Sequence, residues 1–205
     1  MKMAQLSTAT GIPVATIKYY LREGLLPAGQ RTEPNQAAYT DEHARRLRLI
    51  RAIVDVGGLS VASARRVIEA LDSDLGLAET FEIAQTTVSP AVEQAAPDED
   101  RLTQVDALLD GWHYLPTNPG RQAAARVLAA FEGAGQSDDR GWYAAYARAA
   151  LVASEADLDE IETRPDRDAR VETMVVGTVL GDALFAALRR VAQEHVTSQR
   201  YGSGA

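Results

Sequence analysis

Thr16, Lys18, Tyr19 and Arg22 offer a hydroxyl, two cations and a phenol within seven residues. Between them Val14, Ile17, Tyr20 and Leu21 recur at i, i+3, i+6 and i+7, the spacing of one helix face. Such a helix can lay its polar face in a major groove and hold phosphates on the rims. The same face also serves as an ordinary solvated surface. Pro13 suits a first turn, where a missing N–H costs nothing, and Gly24 supplies a stop before Leu25-Leu26-Pro27 runs on extended. Elsewhere the chemistry is sparse. With no cysteine and three scattered histidines, no metal site, cofactor site or cysteine nucleophile is expected. No nucleophile–base pairing or phosphate loop is found, so an enzyme is the weakest reading.

The elements that must position this helix lie on either side of it. Met3 to Thr10 reads as a short helix ended by Gly11, and a glycine turn before a second helix is the helix-turn-helix arrangement. The run from Leu6 to Pro27, with G-I-P, T-I-K-Y-Y and G-L-L-P in order, resembles the DNA-binding domain of MerR-type transcriptional regulators. The similarity continues to about Leu71. It departs at Leu21, where the family has Glu, and at Lys18, where the family has Arg and so a bidentate donor.

The resemblance implies a recognition helix bearing Thr16, Lys18, Tyr19 and Arg22 on double-stranded DNA. Residues 28 to 39 are rich in turn formers, and two short strands around Glu33-Pro34-Asn35 would form a hairpin wing with Arg31 on phosphate. Where the family closes its wing with Y-R-x-Y, this chain has Gln36-Ala37-Ala38-Tyr39, one cation short. Thr40 caps the next helix, whose Leu47, Ile50 and Val54 face inward while Arg45, Arg46, Arg48 and Arg51 crowd the other side. V-G-G-L-S matches the family's second-wing corner, which makes Ser60 and Arg65 further phosphate contacts.

The net charge of −8 is divided unevenly. Residues 1–71 hold 10 Lys+Arg against 6 Asp+Glu, a balance of +4, while residues 72–205 hold 11 against 23, a balance of −12. A basic segment facing phosphate and an acidic one kept off it is the physical reading. No apolar run is expected to approach a bilayer span and no signal pattern opens the chain, so a cytoplasmic protein without membrane partners is expected.

The expected fold is mainly α: a winged helix-turn-helix domain with a small β-hairpin (1–71), a short dimerisation helix and linker (72–100), an all-helical C-terminal domain (101–199) and a disordered tail (200–205). Leu77, Phe81, Ala84 and Val88 form the stripe of the dimer helix, which stops at Pro90. Trp112, Phe131, Trp142 and Tyr146 could line an apolar cavity, with Asp182 as a carboxylate for a cationic organic ligand; core packing explains the same rings. Gly177 and Gly181, one turn apart in the last helix, allow close approach of another helix, from the same chain or a second copy. The resemblance implies a homodimer that bends a near-palindromic promoter operator and realigns it for RNA polymerase. The rival readings are an excisionase-like architectural DNA binder and a regulator whose C-terminal domain binds a protein.

Overall fold

Gly11 adopts φ 69°, a left-handed conformation open to glycine at no steric cost, and its N–H donates to Ser7 O. In the computed structural model, which describes residues 1–33, 36–73, 75–88 and 98–201, this turn joins α1 (Met3–Thr10) to α2 (Val14–Arg22). The Ser7 hydroxyl donates to Ile12 O at 2.6 Å and ties the corner shut. Pro13 is the cap of α2, one position before the expected first turn, and its carbonyl accepts from Ile17 N. Past Gly24 (φ 75°), Leu25 and Leu26 drop into the core.

The hairpin follows as β1 (Gln30–Glu33) and β2 (Gln36–Ala38), antiparallel, with Arg31 opposite Ala37. The expected turn residues Pro34 and Asn35 lie outside the described residues. Helix α3 (Asp41–Arg51) begins at Thr40, whose backbone N–H donates to His43 Nδ1 at 3.2 Å. This is a capping box in which histidine stands where glutamate is usual. The helix does not continue as α to Val56: Ala52–Val56 winds as a π-helix, with Gly57 N donating to Ala52 O. Helix α4 (Val61–Leu71) is capped by Ser60, whose Oγ accepts from Ser63 N at 3.1 Å. Leu6, Ile17, Leu25, Leu47, Ile50, Ile53 and Val67 are buried among these elements.

A second set of helices comprises α5 (Leu77–Val88), α6 (Glu99–Leu108), α7 (Pro119–Gly133), α8 (Trp142–Glu162) and α9 (Arg167–Tyr201). Val105, Ala125, Leu128 and Tyr143 form the core shared by α6, α7 and α8. Asp138 starts α8 by accepting from the N–H groups of Trp142 and Tyr143. Burial pushes its carboxyl up, but the backbone donors, Tyr143 foremost, outweigh that and hold it below the usual carboxylate range. Two ion pairs join α6 to α7: Arg101–Glu132, and a bidentate Arg121–Asp106 pair at 2.6 and 2.7 Å that also accepts the Tyr114 hydroxyl at 2.8 Å.

The mainly helical fold with one small hairpin is as expected, and four details are not. Among the described side chains of α5, Thr80, Ala84 and Thr87 are buried, whereas Leu77 is exposed. The inward face is therefore rotated from the expected Leu77, Phe81, Ala84, Val88 stripe. Thr87 tolerates burial because its hydroxyl donates to Ile83 O within its own helix. The chain clusters into two compact units, Met1–Gly76 with Val175–Ala205, and Leu77–Met174. The last helix is thus divided between units instead of lying wholly within 101–199, because Val179 packs against Gly57 at the end of the π turn. Arg200 and Tyr201 are helical, contrary to the disordered tail expected from residue 200; residues 202–205, like the expected linker at 89–97, lie outside the described residues. Finally, α9 is long and apolar enough to cross a membrane by length and composition, contrary to the expectation that no run approached that length. The reason is that it carries apolar side chains on two opposite faces, one of them buried through Val175 and Val179.

Candidate nucleic-acid interface

Ile17 and Tyr20 anchor α2, and their burial decides what the helix can present. Burial and the nearby Asp55 carboxylate push the Tyr20 phenol up, so it stays neutral and serves as a core ring. The opposite face exposes Lys18, Tyr19 and Arg22, with Thr16 half-buried at its edge. The Arg22 guanidinium lies 6.0 Å from the Tyr19 ring centroid, near the outer limit of a cation–π contact. Arg31 is exposed on β1, and its cross-strand neighbour is Ala37, so the wing offers a single cation on that rung.

The crowded arginines of α3 are mostly committed to structure. Arg45 pairs with Glu42, Arg51 with Asp55 across the start of the π turn, and Arg46 with Asp72 beyond α4. Among the described residues, Lys18, Arg22 and Arg31 enter no ion pair. Cations held without a carboxylate beside them are the ones able to exchange counterions for phosphate. Ser60 is exposed, but its hydroxyl is occupied as the α4 cap, which leaves its helix-start N–H neighbours as the donors. Arg65 is exposed and reaches Glu69 only at 3.9 Å. The Glu42–Arg45 and Arg51–Asp55 pairs were legible as helical spacings; the Arg46–Asp72 pair spans 26 residues and gave no local signal.

Three of the four rings expected to line a ligand cavity, Phe131, Trp142 and Tyr146, gather. Phe131 meets Trp142 edge-on at 5.0 Å, and Trp142 lies 6.0 Å from Tyr146, with Tyr143 beside both at 5.5 Å from Phe131 and 5.6 Å from Trp142. Trp142 nevertheless keeps 39% of its surface exposed. Trp112 belongs to the loop after α6 and enters no ring pair among the described residues. Asp182 is exposed and falls in the other compact unit, so the burial that would have tuned it toward a ligand is missing. An open hollow of about 310 Å³ lies elsewhere, lined by Leu77, Pro165, Asp166, Arg167 and Arg170, and takes in none of these residues.

Two short helices across a glycine turn, a hairpin after them and an unpaired basic face define a winged helix-turn-helix transcription regulator. Residues 1–71 match the profile described as MerR HTH family regulatory protein. A stretch of 50 residues is 44% identical to a Haemophilus influenzae protein named HTH-type transcriptional regulator ZntR homolog, covering 24% of this chain and 37% of that one. Over 142 residues the chain is 31% identical to Nodulation protein NolA of Bradyrhizobium sp. (strain NC92), covering 63% of this chain and 58% of the relative. The matches therefore span less than two thirds of these curated relatives. A crystal structure of SCO5550 from Streptomyces coelicolor A3(2), described as a transcriptional regulator, is similar over 100% of both chains, at 33% identity and a TM-score of 0.72. The chain belongs to the MerR family of helix-turn-helix transcriptional regulators.

Proposed function

We propose that this chain is a cytoplasmic regulator that binds a near-palindromic promoter operator as a homodimer and distorts it, altering access for RNA polymerase. The observation that carries the reading is the face of α2: Lys18, Tyr19 and Arg22 are exposed, with no carboxylate paired to either cation among the described residues, on a helix fixed from behind by Ile17 and Tyr20. Arg31, Ser60, Arg65 and Thr16 extend it as phosphate contacts that set register and contribute no base readout. Bending the duplex then lets contacts on both half-sites offset the deformation.

Selection of duplexes from a random pool, followed by end-to-end fluorescence transfer on the winner, tests this directly. A two-fold-symmetric site and a shortened end-to-end distance are expected. Recovery of unrelated sequences bound equally well and left straight would sink the reading, whereas sequence-blind bending would move it to an architectural DNA binder. The effector reading rests on the partly exposed Trp142 beside Phe131 and Tyr146, a π-rich wall in an acidic segment and so suited to an organic cation.

A further inference from the structure

Pro165 restricts the backbone just before α9, and Asp166 starts that helix by accepting the Ala169 N–H at 2.9 Å. The turn out of α8 is closed by short-range bonds, Thr163 N to Glu160 O and Arg164 N to Ile161 O. Ile161 before this corner and Val171 after it are buried, so both ends are anchored. The hollow of about 310 Å³ opens on the corner, walled by Pro165, Asp166, Arg167 and Arg170 and, from the start of α5, by Leu77. All five residues belong to the unit Leu77–Met174. Small-molecule sites begin at about this volume.

The charges around the hollow differ in what they have left to bind. The Asp166 carboxylate faces the N–H groups that open α9, and Asp168 pairs with Arg167 at 3.4 Å. Arg164 is held by Glu160 and by Thr173 Oγ1 at 3.0 Å. Arg170 is different. Its Nε donates to Arg164 O at 3.1 Å, and it enters no ion pair among the described residues. That one bond orients the guanidinium while its two terminal nitrogens keep the parallel N–H pair that matches a carboxylate. Leu77, 39% exposed, and Pro165 supply apolar wall beside it.

We propose that this hollow binds a small amphipathic organic anion, a carboxylate taken end-on by Arg170 and carried on a ring or short chain that covers Leu77 and Pro165. Two guanidinium groups in the wall disfavour a cation, and a bare inorganic anion would leave Leu77 and Pro165 wet. None of the rings around Trp142 lines this hollow, so the site is separate from the aromatic wall. Its place in the chain gives binding a consequence. The chain enters this unit at Leu77 and leaves it after Met174, four residues beyond Arg170. A guest that ties Leu77 to Arg170 therefore joins both connections to the winged unit near their roots, and its binding couples to operator affinity. The coupling rests on the operator reading; the binding does not.

Calorimetric titration of the full chain with 2-naphthoate tests the site, with 2-naphthamide as the neutral isostere and sulfate as the bare anion. The carboxylate should bind about tenfold or more tighter than the amide, and sulfate at equal concentration should not displace it. Binding should weaken as salt rises, because the hollow is open to solvent. Arg170→Ala and Leu77→Asp should each weaken it by about tenfold or more, with Arg170→Lys between. Arg140→Ala, at an exposed arginine outside the hollow, should change nothing. Leu77→Asp puts a carboxylate at the start of α5, which the helix favours, so its loss of binding cannot be ascribed to unfolding. In the wild type, 2-naphthoate should shift operator affinity by about fivefold or more, and Arg170→Ala should abolish the shift. Equal binding of carboxylate and amide, no binding of either, or binding unmoved by both Arg170→Ala and Leu77→Asp would overturn the site. Binding in the expected pattern with operator affinity unmoved would overturn the coupling. The same pattern in a chain that binds no operator would support the site and remove the operator reading instead.

Discussion

Gly57→Ala is the sharpest probe of how the winged domain holds the last helix. Gly57 sits at φ −71°, an ordinary helical angle, so alanine is allowed there by the backbone. The obstacle is space: its methyl would overlap Val179 Cγ1 and stand 2.7 Å from Ile53 O. Valine has little rotamer freedom on a helix, and the Ile53 carbonyl is fixed in the π turn. Overpacking of this kind costs about 1–3 kcal/mol, against roughly 0.4–1 kcal/mol gained from a stiffer unfolded chain. The net loss should be about 1–2 kcal/mol, or a fall of roughly 2–8 °C in Tm at 2–4 °C per kcal/mol. Urea unfolding of the wild type, Gly57→Ala, Val179→Ala and the double variant closes a cycle. The double variant removes one clash and keeps the other, so it should recover part of the loss, with a coupling of about 1 kcal/mol. A Gly57→Ala chain as stable as wild type, with no coupling to Val179, would falsify the close contact.

Lys18→Ala should weaken operator binding and make the slope of log K against log salt shallower by about 1.8, the share of one phosphate from each of two subunits; an unchanged slope removes Lys18 from the backbone contacts. Asp106 is held down at about 2 by hydrogen bonds from Arg121 and then Tyr114, so its folded value lies below the ordinary carboxylate one. Its contribution to stability is therefore present above about pH 4 and lost as pH falls toward 2. Asp106→Asn should flatten the dependence of stability in that window, read by circular dichroism during acid titration, and a dependence identical to wild type would show the pair to be inert. Titration with tetraphenylphosphonium should quench tryptophan emission, and Trp142→Phe should remove most of the response; emission unmoved in the wild type would end the effector reading.

Much of the winged domain was readable because its signals are local. Gly11 and Gly24 mark turns that need left-handed backbone, Ile17 and Tyr20 recur at helical spacing, and Thr40 caps the helix that follows it. What was not readable depends on partners distant in sequence. The buried face of α5 is set by neighbours that accept Thr80 and Thr87 in preference to Leu77. The Asp106–Arg121–Tyr114 cluster closes a loop across 15 residues, and no spacing announces it. The division of α9 follows from the meeting of Val179 with Gly57, over a hundred residues away along the chain. For the recognition face, sequence could name the cations; only the structure separates Lys18, Arg22 and Arg31 from arginines already paired with acids.

The π turn at Ala52–Val56 acts as a phase shifter in the helix that carries it. It accommodates one more residue than an α turn would, and each residue added to a helix rotates all that follows by about 100°. Deleting one residue from this segment would let it rewind as α and keep every apolar side chain before it in place. Gly57 would then point away from Val179, and Leu59 and Ser60 would leave the corner they now form. A single-residue deletion, harmless by composition, would thus part the last helix from the π turn and also rotate α4, with its buried Val67 and Ile68, out of the winged-domain core. The attachment is encoded by a count of residues as much as by their kinds.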